Sequence, residues 1–313
     1  PAYRFEWKAT GRPHGSSRKP SMSLTGHPCP FPIAELINLD RHPINRPDSP
    51  QYSSMVAEAR SKLANDGCAV IPKLLDSTAI PIMSAEILSI RPFLHESKIA
   101  INPYFSEADP TLPPDHPINT FIERSGGFIP RDAFDATSAI DAVYQWPPLL
   151  AFIADCLGLP EIHCYADPLA GLTINVLGPG QQFSWHYDTN DFAVTILIDE
   201  ASKGGLFQYS PNIRSTESEN FDKVKACQDE DLATVRTLRL QPGDLQIFLG
   251  RFSLHRVTRV DRSSSSRHTA VFAYTERPGV IGRRERTKQL FGRTLPAHEE
   301  AERIRTRGDE LKD

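Results

Sequence analysis

The sequence lacks several features that would assign it to a familiar class of protein. Its five cysteines are odd in number, scattered and without a C-x-x-C pair. That pattern argues against a disulfide framework or a zinc knuckle and favours a reducing compartment, the cytoplasm. No apolar run approaches the roughly 20 residues that a membrane-spanning helix needs. The net charge is −4, without the excess of Lys and Arg that is typical of proteins that bind anionic surfaces. We therefore expect neither nucleic acid nor a membrane as partner.

Two catalytic motifs are also missing. The sequence contains no G-x-S-x-G motif, which argues against a serine hydrolase. No glycine pair is followed by a helix that carries Lys and Ser/Thr, as a phosphate-binding loop requires. Proline, by contrast, is abundant, with 27 residues in a chain of 313, against a usual share of about 5%. Each proline removes a backbone donor and fixes φ, which excludes a long helical bundle.

The character of the sequence changes along the chain. Residues 1–50 show no sustained period and predict an N-terminal extended arm. Residues 51–313 predict a single domain, in which 51–159 supply helical and loop support, 160–277 a β-strand core and 278–313 a C-terminal helical tail.

Periodicity and turn residues place the elements more finely. Helices are predicted over 51–65, 77–90, 147–157 and 297–307. The Pro-rich stretch 100–130 predicts a long loop that would act as a lid over a site. Eight short segments rich in Val, Ile, Thr and aromatic residues follow residue 160, with Gly- and Pro-containing turns between them: EIHCYAD, AGLTINVLG, FAVTILIDE, GGLFQYSP, RTLRLQPG, DLQIFLG, SLHRVTRV and RHTAVFAYTE. They indicate a mostly β fold with flanking helices, an antiparallel sandwich or barrel.

One histidine is followed two positions later by an aspartate, in His186-Tyr187-Asp188. On an extended segment such residues point to the same face, so both side chains can approach one ion. His255 begins a later strand and can supply a third ligand. Two histidines and one carboxylate form the facial triad that binds Fe(II) and leaves open positions. From H-x-D alone, a hydrogen-bonded pair at a strand end remains an alternative.

A rival pair, His298 and Glu300, has the same spacing but lies in a predicted helix, where such residues do not share a face. Beyond His255 come Arg267 and Thr269 in the segment RHTAVF. An arginine with a hydroxyl on the same face of a strand suits a carboxylate.

The order H-x-D, distal His, then Arg with R-x-T resembles the Fe(II)- and 2-oxoglutarate-dependent oxygenases, which implies a double-stranded β-helix (jelly-roll or cupin-like) core. The runs WHYDTNDFAVTILI, GGLFQYSPNIRS and PGDLQIFLGRFSLHRVTRV are similar to the branch of halogenases and hydroxylases of free amino acids, including fungal amino-acid-tailoring enzymes that form aziridines. In the halogenases a glycine or alanine replaces the carboxylate, whereas this chain has Asp188. The resemblance therefore favours hydroxylation, desaturation or oxidative cyclisation.

On that resemblance, His186, Asp188 and His255 hold catalytic Fe(II), and 2-oxoglutarate pairs its distal carboxylate with Arg267, with Thr269 and Asn175 as further contacts. O2 and the co-substrate are consumed, giving succinate and CO2, while a C–H bond of a small metabolite is oxidised.

Three residues are expected to contact the substrate. Arg124 is predicted to lie on the long loop and bind an amino-acid carboxylate, although a solvated arginine is the simpler alternative. Tyr187 flanks the first ligand and would line the pocket or pack in the core. Val271 shares the face of Arg267 and gives an apolar wall, which favours an aliphatic or small neutral substrate.

Two other functions remain open. One is a jelly-roll protein that binds a metal or ligand without catalysis; the other is an iron oxidase that does not use 2-oxoglutarate. Accumulation of succinate distinguishes the leading hypothesis from both.

Overall fold

Two antiparallel sheets face each other in the computed structural model, which describes residues 29–303. Its helices and strands, in chain order, are α1 Ile33–Leu36, α2 Pro50–Asp66, β1 Cys68–Ile71, α3 Ala79–Ile90, β2 His95–Ile101, β3 Ile122–Ile129, α4 Ala139–Tyr144, α5 Pro147–Leu157, β4 His163–Cys164, β5 Leu172–Leu177, β6 Phe183–His186, β7 Ala193–Asp199, β8 Phe207–Ser210, α6 Phe221–Gln228, β9 Arg236–Leu238, β10 Leu245–Phe248, β11 Leu254–Val257, β12 Arg267–Phe272, β13 Tyr274–Thr275, α7 Arg284–Phe291 and α8 Pro296–Arg303.

The larger sheet has the strand order β1-β10-β7-β12-β5-β3-β2, and the smaller one β6-β11-β8-β9. From β5 to β12 the chain passes back and forth between the sheets. β5, β7, β10 and β12 lie in the larger sheet, and β6, β8, β9 and β11 in the smaller. This alternation makes a double-stranded β-helix, so the predicted fold class, mostly β with flanking helices, is confirmed.

Alternation along the strands of the larger sheet gives it two different faces. Ile174 and Val176 of β5, like Phe272 of β12, face outward into the main hydrophobic core with α2, α3 and α5. Their neighbours Thr173 and Asn175 point between the sheets and line a cavity. The helices therefore brace one face of the sheet and leave the other free for a site.

The stretch before residue 160 contributes more than helices and loops. β1, β2 and β3 all belong to the larger sheet, and β3 replaces part of the loop that the prolines and glycines predicted over 100–130. The reason is close packing: a Cβ on Gly126 would lie 2.7 Å from side-chain atoms of both Leu177 and Phe183. Glycine there permits strand contact and does not mark a turn.

The predicted N-terminal arm also differs from the structure where residues are described. Within 29–49, Leu36, Ile37 and Ile44 are almost fully buried in the main core, and Ile37 forms a β-bridge with Leu75. Residues 1–28 lie outside the described part of the chain. The five cysteines, all within the described residues, form no disulfide, and no helix in that part of the chain is both long and apolar enough to cross a bilayer.

Candidate metal centre

His186, Asp188 and His255 meet at one end of the space between the sheets. His186 ends β6 and His255 lies opposite it in β11, in direct register. Their ring centroids are 4.2 Å apart, and Asp188 Oδ1 lies 3.4 Å from His255 Nε2. One nitrogen or oxygen from each residue falls within 4.8 Å of the others. The spacing is that of ligands around a single ion.

Backbone carbonyls orient both imidazole rings. His186 Nδ1 lies 2.7 Å from the carbonyl oxygen of Ser184, and His255 Nδ1 lies 3.0 Å from that of Ser253. A carbonyl only accepts hydrogen bonds, so each Nδ1 carries the proton and each Nε2 offers its lone pair to the cluster. Burial, reinforced by His255, holds the pKa of His186 well below its usual value. The ring is therefore neutral, as a metal ligand must be.

Gly250 shapes the position of Asp188, and sequence reasoning missed it. The Asp188 backbone N–H donates to the Gly250 carbonyl at 3.1 Å. A Cβ on Gly250 would overlap Asp188 Oδ2 and lie 2.6 Å from Asp188 Cγ. Burial alone would raise the pKa of the Asp188 carboxyl, but the neighbouring His255 and, to a smaller extent, His186 lower it below its usual value. The carboxylate is thus ionised and fixed beside the two histidines.

Arg267, Thr269 and Asn175 lie deeper between the sheets. Thr269 of β12 pairs with Asn175 of β5, and Arg267 donates from Nη1 to Thr269 Oγ1 at 2.5 Å. Arg267 is only 6% exposed, and burial lowers its pKa to about 10. No anionic neighbour contributes to that shift. A buried guanidinium without a counter-charge is costly unless an anion joins it.

A cavity of about 720 Å³ opens beside the metal cluster. His186, Asp188, Asn175, Arg124 and Val271 line it. Val271 thus has the predicted place in the wall. The charge of the wall departs from the expected apolar character, because five arginines also border the space: Arg124, Arg251, Arg277, Arg283 and Arg286.

Arg124 lies on β3 and not on a loop, and it is buried at 4% exposure. Its guanidinium carbon is 4.8 Å from the ring centre of Phe128 and 5.0 Å from that of Phe183. Among the described residues, its Nη1 atom has no hydrogen-bond partner. Burial, then the charge of Arg286, lowers its pKa well below the usual value. The solvated-arginine alternative does not fit this environment.

Tyr187 lies away from the cavity. It is 2% exposed, with its ring 5.6 Å from that of Tyr104 and 4.4 Å from the guanidinium carbon of Arg214. Adjacent residues of an extended segment point to opposite faces, which turns Tyr187 outward when His186 points inward. The predicted pocket role is therefore wrong, and the core-packing alternative describes its place.

The C-terminal segment closes the cavity, a role expected of the 103–130 loop. Residues 277–283 form part of the wall, and Arg286 of α7 follows. Asp167 anchors the segment: its Oδ2 accepts from the Gly282 N–H at 2.9 Å and lies 3.2 Å from His298 Nε2. His298 belongs to this anchor, not to a metal site. No local pattern in the sequence signals these long-range contacts.

The chain thus combines a double-stranded β-helix with a cluster of two histidines and one carboxylate, and with a buried arginine deeper between the sheets. Comparison with protein-family models matches residues 52–288 to the family described as Halogenase D. The chain belongs to that family. No curated protein sequence matches it significantly.

Solved structures with a similar fold share little sequence with this chain. A 2OG-Fe(II) oxygenase family oxidoreductase from Burkholderia pseudomallei is 15% identical to this chain, with a TM-score of 0.48. The aligned part spans 72% of this chain and 92% of the Burkholderia chain. The epimerase SnoN from nogalamycin biosynthesis is 12% identical, with 71% and 81% covered and a TM-score of 0.48. AviO1 from Streptomyces viridochromogenes Tue57 is 17% identical, with 72% and 96% covered and a TM-score of 0.48.

Proposed function

We propose that this protein is an Fe(II)- and 2-oxoglutarate-dependent oxygenase that oxidises an unactivated C–H bond of a small molecule, a free amino acid or a related metabolite. The observation that carries the proposal is the cluster of His186, Asp188 and His255, whose ligand atoms lie within 4.8 Å of one another. Two imidazoles and one carboxylate are the donor set of non-haem Fe(II) oxygenases.

The residues fit a bound iron. Both Nε2 atoms are free of the backbone hydrogen bonds that hold Nδ1, and the Asp188 carboxylate is kept at their side by Gly250. Iron held there would activate O2 and supply the oxidising power that no side chain of the protein has. His186 and Asp188 also line the cavity, so an iron held by these two residues and His255 would border the space open to a substrate.

Arg267 is the proposed anchor of the co-substrate. Its buried, uncompensated charge suits the distal carboxylate of 2-oxoglutarate, and Thr269 Oγ1 beside it can donate a second hydrogen bond. Asn175, paired with Thr269 across the sheet, lines the same cavity as His186 and Asp188. The 1-carboxylate and 2-oxo group would be available to an iron held by His186, Asp188 and His255, and the reaction would yield succinate and CO2.

Arg124 and Val271 are the proposed substrate contacts. Arg124 presents an unpaired Nη1 that suits a substrate carboxylate, and Val271 with Ala273 supplies an apolar part of the same wall. An α-amino acid with an aliphatic side chain satisfies both. Holding it by the carboxylate fixes which C–H bond faces the metal, and positioning of this kind selects the reaction.

The proposed outcome is hydroxylation, desaturation or oxidative cyclisation such as aziridine formation, and not chlorination. Asp188 Oδ2 fills the space beside Gly250, and its Oδ1 lies beside His255 Nε2. A halide at that position would require the carboxylate to be removed.

The test is a screen of free amino acids under air with Fe(II) and 2-oxoglutarate, in which substrate-dependent succinate release is measured and each product is weighed by mass spectrometry. Gain of one oxygen atom identifies hydroxylation, and loss of two hydrogens identifies desaturation or ring closure. Anaerobic titration with Fe(II) and 2-oxoglutarate should give a weak visible charge-transfer band.

His186→Ala and Asp188→Ala should abolish both the band and succinate release. His163→Ala is the matched control, because His163 is partly exposed and its nearest charged partner is Glu161 at 3.6 Å. No band and no succinate with the unaltered protein would refute the proposal.

A further inference from the structure

The cavity wall is strongly positive. Five arginines line it, and among the described residues that border the space Asp188 is the only acidic one. Arg251 has a counter-charge outside the cavity, since its Nε lies 3.5 Å from Asp191 Oδ1. Arg277 is exposed at the rim. Of the other three, Arg124 and Arg286 are the two whose pKa is lowered by burial, and their surroundings need an explanation.

Arg286 reaches the cavity from α7, which packs against β2 and β3, and β3 carries Arg124. Its guanidinium carbon lies 3.8 Å from the ring centre of Phe105, and its Nη1 donates to the Gln289 side-chain oxygen at 2.6 Å. Phe105 in turn lies 5.9 Å from the His186 ring. Arg286 therefore borders the same cavity as Arg124, His186 and Asp188, and the two side chains that it contacts here, Phe105 and Gln289, are neutral.

The charges of these two arginines act on each other. Arg286 contributes to the lowered pKa of Arg124. Burial lowers the pKa of Arg286 itself to about 10, opposed only by the charge of Asp188. Asp188 is already shared with the two histidines. Two partly desolvated guanidinium groups beside one another repel, and an anion placed between them removes that repulsion.

We propose that Arg286 and Arg124 form a two-arginine clamp for the carboxylate of the substrate, so that Arg286 is a specificity-determining residue contributed by the C-terminal helix. The inference rests on the proposed function, because it takes this cavity to be the substrate site. The clamp narrows the substrate class to carboxylates and excludes the corresponding amides and amines. Guanidinium groups can bind a carboxylate through two parallel hydrogen bonds, and an uncharged amide offers a single oxygen without charge.

The experiment measures binding and not turnover. The probes are the free L-amino acids and their C-terminal amides. Their binding is measured by saturation-transfer NMR under argon, with and without Fe(II) and 2-oxoglutarate. For the tightest carboxylate, Arg286→Gln and Arg124→Gln should each raise Kd by about tenfold or more, the effect of losing one charge-assisted hydrogen bond. Arg286→Lys should retain part of the affinity. Arg277→Gln, which removes the exposed arginine of the same wall, should change Kd less than about twofold.

Several results would overturn the clamp: amides that bind as tightly as acids, an unchanged Kd in Arg286→Gln, or no binding of any acid by the unaltered protein. If Arg124→Gln does not fold, Arg124→Lys keeps the charge and tests the geometry. The two proposals fail separately. If succinate is released but Kd does not depend on Arg286, the oxygenase proposal stands and the clamp proposal is refuted. If a carboxylate binds through both arginines but no succinate is released, the clamp proposal stands and the oxygenase proposal is refuted.

Discussion

Replacing Gly250 by alanine should weaken metal binding while leaving the fold intact. The new Cβ would overlap Asp188 Oδ2 and stand 2.6 Å from its Cγ. The two backbones cannot readily separate, because the Asp188 N–H donates to the Gly250 carbonyl at 3.1 Å. The carboxylate is the group free to move, and rotating it away leaves the histidines without their anionic partner.

The size of the effect follows from what Gly250 does. It contacts a ligand but is not one, and altering groups that orient metal ligands typically costs about 10- to 100-fold in affinity. We expect Gly250→Ala to raise the Kd for Fe(II), measured by anaerobic calorimetry, by that factor. Mn(II) can serve as the oxygen-stable probe.

Two comparisons make this prediction refutable. Gly178→Ala is the matched control, since the atom nearest to a Cβ there would be the end of the flexible Gln181 side chain, at 3.3 Å, and the substitution should leave the affinity unchanged. Gly250→Ala added to Asp188→Gly should have little further effect, because the overlapping carboxylate is gone. Unchanged metal affinity in a folded Gly250→Ala protein would refute the argument.

Four further predictions concern the metal cluster, the co-substrate site and the core. Asp188→Gly should bind Mn(II) weakly and become dependent on chloride, whereas the unaltered protein should show no chloride dependence by calorimetry. Arg267→Gln should weaken 2-oxoglutarate binding by more than about 100-fold, because removing one partner from a buried ion pair costs about 3–5 kcal/mol, with metal affinity unchanged. In the unaltered protein, only the charged guanidinium binds the anion, so the Kd of 2-oxoglutarate should stay constant to about pH 9. It should rise above pH 10, the lowered pKa of Arg267; a Kd independent of pH there would contradict this role. Phe152→Ala, which empties a fully buried site, should lower the free energy of unfolding in urea by about 3–5 kcal/mol, and Phe93→Ala, 57% exposed, by about 0.5 kcal/mol or less.

Local signals predicted those elements whose ends are determined locally. The helix predicted over 147–157 coincides with α5, because Pro147 stands in its first turn and Gly158 ends it with φ of 71°. β2 and β3 were missed for the opposite reason. β3 pairs with β5, far along the chain, and β2 pairs in turn with β3, while the prolines and glycines around them imitate a loop.

The same division applies to the site. The H-x-D spacing of His186 and Asp188 and the later His255 are brought together in the structure, because alternation along strands can be read from sequence. Gly250 and Arg286 could not be predicted. Gly250 acts only by leaving room for the Asp188 carboxylate, which no local motif indicates. Arg286 lies on α7, whose packing against β3 has no sequence signature. Tyr187 was misassigned because adjacency to a ligand says nothing about the face on which a side chain lies.

The placement of the cavity wall separates two tasks along the chain. The candidate ligands and the proposed co-substrate contacts all lie between Asn175 and Thr269, whereas the segment 277–283 and Arg286 close the cavity from outside the barrel. Substitutions in this later segment can reshape the space next to the metal without altering any strand of the β-helix. A change in this part of the cavity wall therefore requires no change in the candidate metal ligands, whereas the other proposed substrate contacts, Arg124 and Val271, lie on strands of the larger sheet.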